Sequence, residues 1–145
     1  MLLQFFCSVE NNISAEKRFK VLVVDDEPAI LELLEYNFTK KGAQVTLAKN
    51  GVEGLEIAER ELPQVIVLDI MMPVMSGIEM CKVLKADPVL KNIPVLFLSA
   101  TSDDTLILSA MTAGGDHFVS KPIKISLLFE IVNNLQEEFK QQHQA

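Results

Sequence analysis

The sequence is poor in cysteine, in basic residues and in glycine and proline. Its two cysteines, Cys7 and Cys81, lie in dissimilar contexts, which argues against a disulfide framework or a thiolate metal site and favours a reducing compartment. The 13 lysines and arginines are outnumbered by 20 acidic residues. Because binding to a phosphate backbone needs clustered basic residues, we expect no direct contact with nucleic acid. With only 6 glycines and 6 prolines, collagen-like and low-complexity classes are excluded.

Long hydrophobic runs are also missing. Apolar runs such as residues 21–24 are four residues long, whereas a membrane-spanning helix needs about 20. The apolar segment Leu2–Cys7 has no basic residue before it and no small-residue cleavage site placed after it, which argues against a secretory signal. We therefore expect a cytoplasmic protein that does not contact membranes.

The apolar residues of the chain suffice for one hydrophobic core. Of the 145 residues, 49% are hydrophobic and 23% are charged, a composition typical of a globular protein, and the length suits one domain of ordinary size. We expect a single-domain protein with an N-terminal extension over residues 1–18, a folded domain over 19–140 and a C-terminal tail over 141–145.

Short apolar segments alternate with longer segments of helical periodicity. Strands are predicted at 20–24, 44–48, 65–68, 94–98 and 117–120, and helices at 28–41, 51–61, 77–85, 104–113 and 126–140. Four apolar residues of the first helix are spaced to share one face: Ile30, Leu33, Leu34 and Phe38. Gly42 is expected to end that helix.

The first, third and fourth predicted strands are apolar on both faces. Strands of this kind belong to a parallel sheet that is covered by helices on both sides. The sequence therefore predicts an α/β fold, a (βα)5 doubly wound, flavodoxin-like three-layer sandwich with strand order 2-1-3-4-5. Ligands of such folds bind outside the carboxyl ends of the strands, at the point where the strand order reverses.

Acidic residues follow two of these strands. Asp25 and Asp26 come directly after the first strand, and Asp69 comes directly after the third. In the predicted strand order these ends meet, and carboxylates that converge there are the ligands that Mg²⁺ prefers. The alternative is that each acid is only a helix cap or a turn residue.

A hydroxyl and an ammonium are predicted at the same edge. Ser99 ends the fourth strand and Lys121 follows the fifth, so both could bind phosphoryl oxygens. Lys121 also precedes Pro122, and an X–Pro bond takes the cis form more readily than other peptide bonds.

Taken together, these residues resemble the receiver domain of two-component response regulators, in particular the single-domain, chemotaxis-regulator-like kind. The matching stretches occur in the family's order and spacing over roughly residues 19–140: Val21–Glu27, Val67–Pro73, Met75–Gly77, Leu98–Ala100 and Ala113–Pro122. The resemblance implies a domain that accepts a phosphoryl group on an aspartate, in a two-component system or a phosphorelay.

The resemblance also implies a phosphoacceptor and a metal site. Asp69 would attack the phosphohistidine of a sensor histidine kinase or a histidine phosphotransfer protein and form an acyl phosphate. Asp26, Asp69 and the backbone carbonyl of Met71 would contact Mg²⁺ directly, and Asp25 would act mainly through water. Glu27 is expected to have no necessary ligand role.

The remaining site residues would couple phosphorylation to a surface. Ser99 would bind a phosphoryl oxygen and Lys121 would pair with the same group. As Ser99 moves, the ring of Phe118 would turn into the vacated space and reshape the surface of the fourth helix, fifth strand and fifth helix. That surface would bind a downstream protein target or form a homodimer. Phe118 stands where the family more often has tyrosine, and the alternative is that it is only a core aromatic.

Two other functions fit the same fold. An aspartate-nucleophile phosphatase also forms an acyl phosphate with Mg²⁺, but that class generally has a general acid two residues after the nucleophile, where this chain has Met71. A constitutive interaction module would not need the acidic site, and a flavodoxin-like cofactor binder would need a phosphate-binding loop after the first strand. We expect a signalling switch and not an enzyme.

The fourth predicted helix has more apolar residues than one face can bury. Leu106, Ile107 and Leu108 are consecutive, so at least one of them should be exposed. This predicts a docking or dimerisation face, or else a helix that the apolar N-terminal extension covers.

Overall fold

Strand and helix alternate along the whole of residues 18–142, which are the residues that the computed structural model describes. The elements are β1 (Lys20–Val24), α1 (Pro28–Lys40), β2 (Gln44–Ala48), α2 (Gly51–Glu61), β3 (Val65–Asp69), α3 (Gly77–Ala86), β4 (Val95–Ser99), α4 (Asp104–Thr112), β5 (His117–Ser120) and α5 (Ile125–Gln142). The strands form one parallel sheet in the order β2-β1-β3-β4-β5. The predicted (βα)5 doubly wound fold is therefore confirmed.

Helices cover both faces of this sheet. On one face, alternate strand residues such as Val23, Val67 and Leu96 form a cluster with residues of α1 and α5. On the other face, residues such as Leu22 and Phe97 form a cluster with residues of α2, α3 and α4. All residues of β3 and β4 are buried, because both sides of these central strands meet a helix layer.

The buried face of α1 differs from the prediction. Leu31, Leu34 and Phe38 are buried, whereas Leu33 is 39% exposed, so the prediction that Leu33 shares one face with Leu34 and Phe38 is wrong. Leu33 lies about 100° around the helix axis from Leu34, and the helix is turned so that Leu31 meets the sheet instead. The helix ends before Gly42, which has a φ of 90°, as predicted.

Two strands end one residue later than predicted, because β3 is one residue longer and β4 is shifted by one residue, and the added end residues belong to the site. β3 includes Asp69 and β4 includes Ser99, so both side chains are held by the sheet and not by a loop. The Lys121–Pro122 peptide bond is cis. At the C-terminus α5 continues to Gln142, so two residues of the predicted tail are helical. Apart from Arg18, the predicted N-terminal extension lies outside the described residues.

No helix among residues 18–142 is long and apolar enough to cross a membrane.

Candidate phosphoryl-transfer site

Two buried carboxyl groups lie side by side at the carboxyl edge of the sheet. Asp69 is the last residue of β3, and Asp25 directly follows β1. Since Val24 pairs with Leu68 in the parallel register, the residues after them occupy neighbouring positions. Asp25 is completely buried and Asp69 is 4% exposed. Burying two adjacent carboxylates costs free energy unless a cation offsets their repulsion.

Lys121 supplies a positive charge to this edge from the end of β5. Its backbone N–H donates to the carbonyl of Ser99 at 2.9 Å, which ties the residue to β4. Its Nζ atom lies 2.6 Å from Oε1 of Glu27, 3.0 Å from Oδ2 of Asp25 and 3.8 Å from Oδ2 of Asp69. One ammonium group therefore faces three carboxyl groups.

The pKa values of these groups reflect an excess of buried negative charge. Burial, and then the charge of Asp25, raise the pKa of Asp69 to about 7, against the opposing effect of Lys121. Burial also raises the pKa of Asp25, although the N–H of Glu27 donates to its Oδ1 at 2.9 Å. Burial alone would lower the pKa of Lys121, but its hydrogen bond to Glu27 and its close contact with Asp25 outweigh this effect and the pKa is raised. The cluster would therefore be stabilised by a further cation.

The same carboxyl groups fit a hard divalent cation. Asp25, Glu27 and Asp69 each offer an oxygen, and these oxygens lie within 4.8 Å of one another. Oδ2 of Asp25 is buried and has no hydrogen-bond partner. The ammonium of Lys121 lies 3.0 Å away, but this contact lacks hydrogen-bond geometry. A buried carboxylate oxygen with a free lone pair is a suitable ligand for Mg²⁺, which binds oxygen donors.

Two residues with a predicted metal role lie at the rim of this cluster. Asp26 is exposed and is not among the three clustered acids, but its charge is near enough to raise the pKa of Asp69. The side chain of Met71 is 62% exposed, and its backbone N–H donates to Oδ1 of Asp69 at 3.4 Å. The direct contacts of Asp26 and of the Met71 carbonyl with Mg²⁺ stay predictions.

Ser99 and Phe118 lie on neighbouring strands near the cluster. Ser99 is 2% exposed, and its Oγ accepts a hydrogen bond from the N–H of Thr101 at 3.2 Å. Phe118 is half-buried and packs against the hydrophobic core between the sheet and helices α3 and α4. The ring is therefore neither fully enclosed in the core nor free in solvent.

Glu27 is the residue whose place in the cluster sequence reasoning missed. Its Oε1 accepts a hydrogen bond from Lys121, 94 residues away in the chain, and no local pattern predicts such a contact. The available signal was that Glu27 is the third acid in a run that follows a buried strand.

Replacing Asp69 by asparagine should stabilise the metal-free protein at alkaline pH. The pKa of Asp69 in the folded protein is about 7, above the ordinary aspartate value of 3.8. The native state therefore binds the proton more tightly than the unfolded state, and this group lowers the stability of the protein as pH rises from about 4 to about 7. We expect Asp69→Asn to increase the free energy of unfolding by roughly 1–3 kcal/mol at pH 8 and by much less at pH 4. Thermal unfolding in a chelating buffer at both pH values measures this difference. An equal effect at both pH values would show that charge repulsion is not its cause.

An open apolar groove lies beside the site, between the loop after β3 and helix α4. It has a volume of about 470 Å³, and Ile70, Pro73, Ile78 and Leu106 are among its lining residues. Leu108 of α4 is 67% exposed, which confirms that this helix exposes at least one of its consecutive apolar residues. Whether the N-terminal extension covers it is a question that lies outside the described residues.

Comparison with known proteins agrees with this geometry. Residues 21–133 match the response regulator receiver domain family. The chain is 41% identical over 103 residues to the alkaline phosphatase synthesis transcriptional regulatory protein PhoP of Bacillus subtilis, covering 71% of this chain and 42% of that protein. It is 38% identical over 116 residues to the response regulator PleD of Caulobacter vibrioides, covering 80% of this chain and 26% of PleD. The chain thus spans less than half the length of these two relatives.

A solved structure shows the same fold. The signal receiver domain of a signal transduction histidine kinase from Syntrophus aciditrophicus superposes with a TM-score of 0.78 at 31% identity, covering 87% of this chain and 96% of that one. The family match spans most of the five-stranded domain, including Asp25, Asp69, Ser99 and Lys121. This chain therefore belongs to the response regulator receiver domain family of two-component signalling.

Proposed function

We propose that the protein is a phospho-accepting switch whose phosphoacceptor is Asp69. The observation that carries the proposal is the placement of Asp69 at a buried strand end, beside a second buried carboxyl group, with the ammonium of Lys121 3.8 Å from its Oδ2. Excess negative charge and a nearby lysine match the needs of phosphoryl transfer, where a metal ion and a cation neutralise the charge of the transferring group.

In the proposed reaction, a carboxylate oxygen of Asp69 attacks the phosphorus of a phosphohistidine. The bond between phosphorus and the imidazole nitrogen breaks, its electron pair returns to the imidazole, and an acyl phosphate forms on Asp69. Lys121 pairs with the phosphoryl oxygens, and the hydroxyl of Ser99 donates a hydrogen bond to one of them. The phosphohistidine belongs to a sensor histidine kinase or a histidine phosphotransfer protein.

Mg²⁺ is the cofactor of this proposal. Asp25, Asp26 and Asp69, together with the backbone carbonyl of Met71, would hold it, whereas the carboxylate of Glu27 pairs with Lys121. A bound Mg²⁺ neutralises charge on the phosphoryl group. The buried Oδ2 of Asp25, which accepts no hydrogen bond, supports this part of the proposal.

The output would be a change of surface at α4, β5 and α5. Phosphorylation would draw Ser99 toward Asp69 and let the half-buried ring of Phe118 turn inward. A groove of about 470 Å³ borders Phe118 and runs past Pro122 to Leu127 of α5. A downstream protein target, or a second copy of the chain, would bind this surface with an affinity that depends on phosphorylation.

Acetyl phosphate tests the proposed phosphoacceptor. We expect the intact mass of the protein to increase by one phosphoryl group when acetyl phosphate and Mg²⁺ are both present, and to stay unchanged when Mg²⁺ is chelated. Asp69→Asn should remove the added mass completely, because it removes the nucleophilic carboxylate.

A matched control is Asp104→Asn, which makes the same change on an exposed residue of α4 and should leave phosphorylation intact. An added phosphoryl group that persists in Asp69→Asn would overturn the proposal. Sustained release of phosphate from simple phosphate esters would instead favour a phosphatase.

A further inference from the structure

The side chain of Glu27 has the shortest contact with Lys121. Nζ of Lys121 donates to Oε1 of Glu27 at 2.6 Å, the length of a strong charge-assisted hydrogen bond. Oδ2 of Asp25 is 3.0 Å away and forms an ion pair with the ammonium, outside good hydrogen-bond geometry, and Oδ2 of Asp69 is 3.8 Å away, beyond hydrogen-bond distance. The ammonium is therefore directed at Glu27 and not at Asp69.

Glu27 makes this contact from a position where side chains usually cap a helix. It is the N-cap residue of α1, but its side chain makes no capping hydrogen bond. At the same position of the next three helices, the side chains of Asn50, Ser76 and Asp103 all accept backbone hydrogen bonds. The carboxylate of Glu27 is thus committed to Lys121.

The pairing between Glu27 and Lys121 is also easy to reverse. The side chain of Glu27 is 56% exposed, whereas that of Asp69 is 6% exposed. A half-exposed carboxylate loses little when it returns to water, because water solvates it and screens the ion pair. A phosphoryl group on buried Asp69 would bring more negative charge into a less screened place, and would compete successfully for the ammonium.

We propose that Glu27 is a positioning residue that retains Lys121 in the unphosphorylated protein and releases it when Asp69 carries a phosphoryl group. This inference rests on the proposed function. Because Lys121 has to leave Glu27 before it can neutralise the phosphoryl group, the contact opposes phosphorylation and slows it.

Three variants separate the contact from the charge. Glu27→Gln keeps the size of the side chain and removes its charge. Glu27→Asp keeps the charge but is one methylene shorter, so its carboxylate is withdrawn from Nζ of Lys121. Glu32→Gln is the matched control, since it removes the same charge from an exposed residue of the same helix.

The first measurement is the rate of phosphorylation by acetyl phosphate, with Mg²⁺ at saturation for each variant. We expect Glu27→Gln to react about threefold to tenfold faster than the unmodified sequence, the factor associated with losing one ordinary hydrogen bond, because the half-exposed ion pair is screened by water. Glu27→Asp should also react faster, and Glu32→Gln should not differ. A rate for Glu27→Gln that is unchanged or slower would overturn the proposal, as would a Glu27→Asp rate equal to that of the unmodified sequence.

The second measurement does not depend on activity. The side-chain NMR signal of Lys121, assigned with the Lys121→Arg variant, should shift between the unmodified protein and Glu27→Gln in the absence of phosphodonor. Phosphorylation should move the signal more in the unmodified protein than in Glu27→Gln, because only the former has a contact to break. A resting signal that is identical in both proteins would overturn the proposal.

The two measurements also keep this inference apart from the proposed function. If no variant takes up a phosphoryl group, the proposed function fails. In that case the resting signal of Lys121 still decides whether Glu27 holds it.

Discussion

Replacing Gly77 by alanine is expected to destabilise the protein by about 3 kcal/mol or more. Gly77 is the first residue of α3, and a Cβ atom there would lie 2.0 Å from the backbone carbonyl oxygen of Asp69. No rotamer change can relieve this clash, because the obstructing atom belongs to the backbone. Either α3 or the end of β3 has to move, and the second movement would displace Asp69, the proposed phosphoacceptor.

Gly51 provides a matched control for this prediction. It is the first residue of α2, and its added Cβ would meet the side chain of Met75, with Cγ at 2.8 Å. Rotation of Met75 can remove its Cγ and Sδ from the contact, and its Cβ at 3.0 Å needs only a small shift, so Gly51→Ala should cost about 1 kcal/mol. Urea unfolding of both variants measures the difference. If Gly77→Ala loses as little stability as Gly51→Ala, the carbonyl of Asp69 can move aside at little cost and the prediction is wrong.

Replacing Lys121 by methionine should destabilise the metal-free protein by about 3 kcal/mol at pH 8. The variant leaves the buried carboxyl groups of Asp25 and Asp69 without the ammonium that lies 3.0 Å and 3.8 Å from them. Their pKa values are already raised and would rise further. A carboxyl group whose pKa is raised in the folded state lowers the stability of the protein as pH increases. The stability deficit of Lys121→Met should therefore shrink on acidification toward pH 5.

Mg²⁺ should compensate for the missing lysine. We expect Mg²⁺ to raise the melting temperature of Lys121→Met more than that of the unmodified sequence, because the cation binds the folded state and replaces the lost positive charge. Lys124→Met is the control, since Lys124 is exposed and should be replaceable with little effect. A deficit for Lys121→Met that does not depend on pH would mean that lost packing, and not unbalanced charge, causes it.

Several features of this protein could be predicted because they depend on short-range patterns. Residues buried on both faces must be apolar at consecutive positions, so β3 and β4 were recognisable in the sequence and their parallel arrangement followed from them. The same reasoning located Asp69, Ser99 and Lys121, since residues that directly follow parallel strands must lie at one edge of the sheet. The order of the strands was predictable because right-handed crossovers allow few alternatives.

Other features depended on packing between distant parts of the chain. The choice of Leu31 over Leu33 for the core depends on how α1 is rotated against the sheet, and the apolar spacing allowed both. The clash that excludes a side chain at Gly77 arises from the closeness of α3 to the end of β3. Neither leaves a signature in the local pattern of hydrophobic residues.

The amino-acid sequence by itself determined the fold, the edge of the sheet at which the chemistry would lie, and that Asp25, Asp69 and Lys121 reach that edge. Only the tertiary structure decided how these charges are paired. It placed Lys121 against Glu27 at 2.6 Å and left it 3.8 Å from Asp69. Ion pairs are selected by distance and burial in three dimensions, because the Coulomb energy depends on separation and local dielectric and not on the number of residues between the groups.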